Sequence, residues 1–514
     1  MLEYCKRSPD LWDLIIIGGG ATGLGTAVDA ASRGYKTLLI EQSDFAKGTS
    51  SRSTKLIHGG LRYLKQGNIS LVMEALKERG LLYQNAPQLV SDLSFIIPAY
   101  RWWEPFLYRI GLKFYDLLAG KLVLKPSEVL SPKETLLRIP TLEPKNLRAG
   151  ILYHDGQFDD ARLAITLAQT AVDHGAVLLN YMEAVSFIKE RGKMIGVNAR
   201  DLETGQEYPQ KAKVVINATG VFVDNLRKLD DPAMKPMVSP SQGVHLVLDR
   251  SFMPSETAIL IPETEDGRVL FLIPWHRHLI VGTTDTPIKE AALEPKPLQE
   301  EIDFILNCAR KFLTKAPTRK DILSAFAGLR PLAKIEGVSQ TASLARDHVI
   351  SISKSGLITI TGGKWTTYRK MAESVIDKAI ALKGLTPLPC RTRHLPLHGF
   401  KRGRHPVNDW IAYGTDTARL ETLIQERPDL GHLLHPRLPY LPVEVIWAVR
   451  EEMARTLEDV LARRTRSLFL DAKAALEIAP KVAALMAHEL GKNKHWIDSQ
   501  IEQFKKTANC YLGK

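Results

Sequence analysis

The sequence predicts an α/β fold: a parallel-sheet domain interrupted by a β-rich insertion and followed by an all-helical C-terminal domain. Three observations carry this. Near the N-terminus an apolar, β-branched run, DLIII, meets a glycine-rich turn and then a helix of small residues. Two interior blocks, 184–220 and 236–288, are strand-like in pattern. Beyond about Pro387 amphipathic helical periodicity dominates.

DLIII reads as a buried parallel strand, because a strand covered on both faces carries a continuous apolar run. ATGLGTAVDAASRG follows as a helix with small residues on its packing side, and Gly34 is its natural stop. KTLLIE is the next strand, completing a βαβ unit. Ile69–Gln84 reads as a helix, and residues 95–150, richer in Pro and aromatics, as an inserted mixed segment. FDDARLAITLAQTAVDHGAVLLN is a helix and then a strand, with Asp159 or Asp160 as its cap. Turn signals at Arg191–Gly192 and Thr204–Gly205 divide the strands that follow. Helical periodicity returns near 298–314. GLITITGGKWTTYRKMAESVIDKAIAL gives one more strand, glycine turn and helix. TPLPCRTRHLPLHGFKRGRHP reads as a linker, and the helices beyond it include Val443–Ala462 and Ala472–Leu490. The expected division is 1–386 and 387–514. Within the first part, about 1–95, 150–235 and 325–386 form the parallel-sheet unit with its glycine turns, and about 96–149 and 236–324 form the inserted cap.

A chain of 514 residues is too long for one ordinary domain. Apolar residues make up 45% and charged residues 25%, an ordinary soluble composition. The 69 Lys and Arg outnumber the 57 Asp and Glu, which favours anionic partners such as phosphorylated metabolites or anionic head groups. No nucleic-acid-binding module accompanies this charge, so nucleic acid is not an expected partner. The four cysteines, Cys5, Cys308, Cys390 and Cys510, lie far apart, with no C-x-x-C pair and no Cys/His ligand spacing. Neither a disulfide framework nor a metal site is expected, and a reducing, cytoplasmic setting fits. The N-terminal residues carry no apolar leader core, and no charge-free apolar run reaches the ~18 residues of a spanning helix.

The chemistry begins at GGGATG, where Gly18, Gly20 and Gly23 match G-x-G-x-x-G. The first glycine makes a tight turn, the second lets backbone amides approach a pyrophosphate, and the third lets helix pack on strand. The helix N-terminus then presents N–H groups and partial positive charge to the anion. Glu41, at the end of the second strand, is placed to accept hydrogen bonds from a ribose. This is the context of a Rossmann-like dinucleotide site. Two later turns favour FAD over NAD: VVINATG, which brings Ala218 and Gly220 beside the first turn, and ITGGKWTTYR, where Gly362 and Gly363 precede a helix. That helix N-terminus, with Lys364, could stabilise negative charge on a reduced flavin. Between these lies TSSRSTKLIHGGLRYL, rich in hydroxyls and free of carboxylates. Its Thr49, Ser50 and Ser53 suit a diphosphate and ribityl chain, and His58–Gly59 would let backbone pass close to a flavin. Alone, His58 reads as a structural histidine.

These residues carry a resemblance. DLIIIGGGATGLG through KLIHGGLRYL, then NATG, IVGTTDTP, FAGLRPL, LARDH and TGGKWTTYRKMAE occur in this order. The chain closely resembles the FAD-dependent, aerobic-type glycerol-3-phosphate dehydrogenases, within the wider group that includes D-amino acid oxidase and glycine oxidase. The resemblance covers nearly the whole chain. KLIHGGLRYL with GGKWTTYR is far more specific than the glycine fingerprint.

The resemblance implies a site. Arg62, Tyr63, Thr284, Arg330, Arg346 and Lys364 match substrate contacts, and His245 in QGVHLVL matches the active-site histidine. Lys55, His58, Gly59, Lys364 and Thr366 join the glycines, Glu41 and the hydroxyls around FAD. The implied reaction oxidises sn-glycerol 3-phosphate to dihydroxyacetone phosphate. His245 is the first choice of base and His58 the second; Arg62, Arg330 and Lys364 complete the catalytic set. A quinone is the implied electron acceptor, with oxygen, as in a glycerophosphate oxidase, the alternative. A quinone acceptor requires a membrane contact, on the inner face of the cytoplasmic membrane. YRWWEPFLYRIGLKFYDLLAGKLVL reads either as a helix in the head-group plane or as core of the cap. A homodimer is admissible. Departures from the family pattern are Arg52 and Thr54, where serine and alanine are usual. No EF-hand loop is present in the sequence, so calcium control is not expected.

Overall fold

The computed structural model describes residues 11–60, 68–120, 124–264, 267–334, 348–402 and 409–513. Among them, eight strands build one sheet and ten build a second.

The first sheet is parallel at its centre. Its order is His348–Ile352, Ile358–Gly362, Glu207–Asn217, Trp12–Ile17, Thr37–Ile40 and Val177–Leu179. The first of these runs antiparallel to its neighbour and the rest run parallel. Met182–Glu190 and Lys193–Asp201 extend Glu207–Asn217 as an antiparallel meander. Its turn at Arg191–Gly192 has positive φ at both residues. The central strands are apolar throughout because both faces are covered, one by helices and the other by the meander. Ala21–Arg33 packs between Asp160–Asp173 and Tyr368–Lys383, and Leu24, Val28, Leu163, Leu167, Met371 and Val375 share one buried cluster. Asp159 caps the second of these helices, accepting from the Arg162 N–H at 3.0 Å.

Register decides where function can sit. Ile17 pairs with Asn217 and with Ile40, while Asn217 pairs with Thr359. Two neighbouring parallel strands therefore end at one level and a third runs three residues further, to Gly362, and the turns that follow them, Gly18–Gly20, Ala218–Gly220 and Gly362–Lys364, leave the same edge of the sheet. In open α/β sheets this crevice beyond the carboxyl ends is where ligands bind.

The second sheet is mostly antiparallel. Its order is Thr286–Pro287, Val238–Asp249, His278–Gly282, Leu270–Trp275, Ala258–Ile261, Val90–Ala99, Ala149–Phe158 and Leu56–Ile57. Ile322–Ala333 pairs along the length of Val238–Asp249, and Glu128–Leu130 pairs with Ala149–Phe158. Sheet membership differs here from the expected cap bounds of 96–149 and 236–324. Val90–Ala99, Ala149–Phe158 and Ile322–Ala333 all join the second sheet, because each is ten or more residues long and runs past the assumed border.

The C-terminal region is helical, as expected, and Ala472–Leu490 has the expected bounds. Val443–Ala462 is not one helix. It ends at Glu451, Met453 takes positive φ, and the chain resumes as a π-helix over Asp459–Arg464. The break aims three buried arginines at the first domain. Arg463 and Arg464 both pair with Asp44, and Arg466 donates to Asp160 at 3.1 Å and to the Ser51 carbonyl at 2.8 Å. Arg162 grips Glu452 with two bonds of 2.8 and 2.7 Å. Buried charges of this kind are tolerated only when paired and hydrogen-bonded.

Candidate active site

The three turns enclose a cavity of about 690 Å³ lined by Gly18, Gly20, Glu41, Thr49, Ser50, Ala218, Gly220, Gly362, Gly363 and Lys364. Its floor depends on missing side chains. A Cβ at Gly23 would lie 1.8 Å from the Gly18 carbonyl oxygen, so only glycine lets the helix start this close under the turn. Gly18 itself has φ +114°. The Ala21 N–H donates to Ser50 Oγ at 2.9 Å, which ties the hydroxyl-rich turn Thr49–Ser51 to the helix N-terminus. Glu41 accepts from the Gly19 N–H at 2.6 Å and the Ser43 N–H at 2.8 Å, holding its carboxylate at the cavity wall with lone pairs to spare. The Trp365 ring N–H donates to the Ser50 carbonyl at 2.9 Å, joining the third turn to the hydroxyl loop. A backbone-lined trough with a helix N-terminus and one carboxylate fits the diphosphate and ribose of FAD.

A second cavity of about 240 Å³ adjoins it, lined by Arg52, Ser53, Thr54, His58, His245, Arg330, Lys364 and Thr366 among others. Thr49, Pro331, Trp365 and the Gly362–Lys364 turn line both spaces. Two strands of the second sheet supply His245 and Arg330. Ser241 pairs with Arg330 and His245 with Phe326, so the guanidinium and the imidazole rise from adjacent strands. Gly243 makes room between them: a Cβ there would stand 2.4 Å from an Arg330 amine. Arg330 donates to the Thr284 carbonyl at 3.0 Å and to Thr283 Oγ1 at 3.3 Å, and lies 3.5 Å from Asp285. Arg52 is held by Glu294 with two 2.8 Å bonds. His245 is buried; desolvation first, then the charges of Lys55 and Arg330, hold its pKa well below the usual histidine value. It is therefore a neutral imidazole at pH 7.

Several expected residues land elsewhere. Ser53, His58 and Thr366 line the smaller cavity rather than the larger. Gly59 lines neither; its tight surroundings are Tyr115 and Leu76. The Lys55 side chain is no cofactor contact. It is fully buried, donates to Asp160 at 2.7 Å and to the Ser51 carbonyl at 2.9 Å, and sits among Trp275, Phe326 and Phe469. Burial pushes its pKa down to about 7 against the pull of Asp160. Thr284 is likewise not a direct substrate contact: its hydroxyl donates to Glu301 at 2.8 Å and accepts from the Val244 N–H at 2.9 Å. What it offers the site is its carbonyl, which orients Arg330. Arg62, Tyr63 and Arg346 lie outside the described residues. Glu301, Asp285, Glu294 and Asp160, which position the cations, were missed by sequence reasoning, since a buried carboxylate leaves no local signature.

A family model described as FAD dependent oxidoreductase matches residues 13–369, and one described as the C-terminal domain of alpha-glycerophosphate oxidase matches 390–496. Similar chains include a probable mitochondrial glycerol-3-phosphate dehydrogenase of Caenorhabditis elegans, 43% identical over 98% of this chain and 74% of the relative. The mitochondrial glycerol-3-phosphate dehydrogenase of Homo sapiens is 42% identical over 98% of this chain and 73% of its own. Among solved structures, the glycerol-3-phosphate dehydrogenase from Bacillus halodurans complexed with FAD has a TM-score of 0.78 at 30% identity, covering 99% of this chain and 97% of that one. The L-alpha-glycerophosphate oxidase from Mycoplasma pneumoniae shares the fold, at TM-score 0.59 and 18% identity over 74% of this chain and 97% of its own. This chain, with its FAD-shaped trough, belongs to the FAD-dependent oxidoreductase family, in the branch that contains the glycerol-3-phosphate dehydrogenases.

Proposed function

We propose that this chain oxidises the secondary alcohol of sn-glycerol 3-phosphate to dihydroxyacetone phosphate and passes the electrons to a membrane quinone. The observation that carries the reading is the junction of the two cavities at Gly362–Lys364, with His245 and Arg330 across it. FAD, bound in the larger space, supplies the hydride acceptor. The smaller space is polyol-sized and cationic: Arg330 and Lys364 can grip a phosphate, and a guanidinium fork suits its geometry. Arg62, Tyr63 and Arg346 complete this clamp in the same reading. Neutral His245 accepts the hydroxyl proton, and His58 on the same wall is the second candidate.

The acceptor reading rests on the helix Glu104–Ala119. Only Leu112, Tyr115 and Ala119 of it are buried. Trp102, Trp103, Phe106, Leu107, Ile110, Phe114 and Leu117 are exposed together. An apolar face of this kind, with Arg101, Arg109 and Lys113 on the same exposed segment, suits the head-group plane of a bilayer and delivery of electrons to a lipid-soluble acceptor. Among the described residues no helix is long and apolar enough to cross a membrane, so the contact is peripheral. The C-terminal match to alpha-glycerophosphate oxidase favours a second reading in which oxygen takes the electrons.

The test is anaerobic bleaching of the purified yellow protein. Glycerol 3-phosphate is expected to bleach it and glycerol is not; equal bleaching by both would remove the phosphate clamp. Reoxidation by a soluble quinone should then outrun reoxidation by oxygen, and the reverse order would move the protein to the oxidase reading.

A further inference from the structure

We infer that Thr54 is a catalytic residue, relaying the substrate's hydroxyl proton to His245; this rests on the reading just given. The His245 ring is fixed in place. Phe326 stacks on one face at 5.0 Å and 15°, and Gly282 lies so close that a Cβ there would be 2.5 Å from Cδ2. Its Nδ1 is buried and has no hydrogen-bond partner among the described residues. Among the described residues its Nε2 faces one group, the Thr54 hydroxyl, at 3.0 Å. A base exchanges its proton through a nitrogen that something can reach. Here that nitrogen is Nε2, and Thr54 stands in front of it.

Thr54 is half-buried and lines the same small cavity as Arg330, Lys364 and His58. A hydroxyl has one hydrogen and two lone pairs, so Thr54 can donate to Nε2 while accepting from a substrate hydroxyl. The step balances. The proton on the substrate's C2 oxygen moves to Thr54 Oγ1 as the Thr54 proton moves to Nε2. The C2–H bond breaks with its electron pair going as hydride to bound FAD, and C2 becomes a carbonyl. His245 ends as imidazolium. The cations facing it, Lys55 and Arg330, make that state short-lived, although Asp160 at 2.7 Å offsets Lys55. Because Nδ1 has no partner among the described residues in either tautomer, the Thr54 bond is the described contact that selects which nitrogen is protonated at rest. The relay requires a bare lone pair on Nε2.

Thr54→Val removes the hydroxyl and keeps the shape; Thr54→Ser keeps the hydroxyl. With the FAD-loaded protein, Thr54→Val is expected to retain full flavin content and to lose no more than a few-fold in affinity for glycerol 3-phosphate, the scale of one neutral hydrogen bond. Its anaerobic reduction should slow by about 10²-fold, the scale of one acid–base contribution. The solvent deuterium effect on that step should drop from a two-proton to a one-proton dependence. Thr54→Ser should return to within a few-fold of the parent. A purely structural threonine would instead change flavin content and leave the isotope effect alone. Normal reduction by Thr54→Val, or Thr54→Ser as slow as Thr54→Val, overturns the relay. A parent protein that glycerol 3-phosphate does not reduce overturns the substrate reading instead. The relay is then judged by ¹⁵N resonances of His245, which must show an unprotonated Nε2 that shifts in Thr54→Val; a protonated Nε2 at rest, or no shift, sinks it.

Discussion

The two sheets recognise their ligands by opposite means. At the parallel sheet the cofactor trough is made of backbone: three turns at the ends of neighbouring strands, kept bare by Gly18, Gly20, Gly220, Gly362 and Gly363. At the antiparallel sheet the cavity proposed for the substrate carries side chains, among them His245 and Arg330, raised from adjacent strands and fixed by hydrogen bonds. A diphosphate spread along a chain can be held by N–H groups and a helix terminus. A compact phosphate beside a reacting alcohol needs charge and a base. A substitution should therefore break one recognition and spare the other.

The largest effect is expected from glycines, and their place in the molecule decides its kind. Gly23→Leu forces a side chain into the Gly18 carbonyl and should abolish FAD retention, measured as flavin per chain after gel filtration. Gly243→Ala pushes on the Arg330 guanidinium and on the Thr283 hydroxyl that orients it. It should leave the protein yellow and raise the KM for glycerol 3-phosphate more than about tenfold, roughly the 1.4 kcal/mol of one displaced charge-assisted bond. A colourless Gly243→Ala would show that the two regions are not separable in this way.

The two regions also differed in how far they could be read in advance. The βαβ unit, the G-x-G-x-x-G turn and the helix after Gly363 are local: their signal is strand apolarity, glycine spacing and helical periodicity within some thirty residues. The side-chain site is not local. Lys55 sits in a basic, hydroxyl-rich stretch that looks phosphate-binding, but Asp160 lies 105 residues on and claims it. Thr284 is claimed by Glu301, seventeen residues further along, and Arg52 by Glu294. The break in the helix expected over Val443–Ala462 has the same origin, since Asp44 and Asp160 sit more than 290 residues before the arginines they receive. Buried ion pairs override propensity, and neither partner announces the other.

That long-range layer gives the next effect in size. Asp44→Ala would leave Arg463 and Arg464 buried without their shared counter-charge. It should destabilise the protein by about 3–5 kcal/mol, read from denaturant unfolding. Because Asp44 borders the hydroxyl loop, flavin loss should accompany unfolding. An unchanged midpoint would mean that the C-terminal helices are not coupled to the cofactor sheet.

The smallest expected effect lies in the linker. His398 bridges Asp173 at 2.6 Å and Asp416 at 2.9 Å, and the hydrogen bond to Asp416, the largest cause, helps raise its pKa to about 9. A histidine whose folded pKa exceeds its unfolded value near 6.5 contributes its full stability below that unfolded value and loses it as pH rises through the folded one. His398→Asn should thus lower Tm modestly at pH 6, and the difference from the parent should fade as pH rises through 9. A gap that grows with pH would contradict the bridge.

The most direct measurement is stopped-flow anaerobic reduction of Arg330→Ala beside the parent protein, both FAD-loaded. Arg330 belongs to the side-chain region alone. The variant should keep the parent's flavin content and absorbance while glycerol 3-phosphate reduces it about 10²–10³-fold more slowly, the scale of one lost charge-stabilising group. Reduction at the parent rate, or loss of flavin with slow reduction, would contradict the division between a backbone-held cofactor and a side-chain-held substrate.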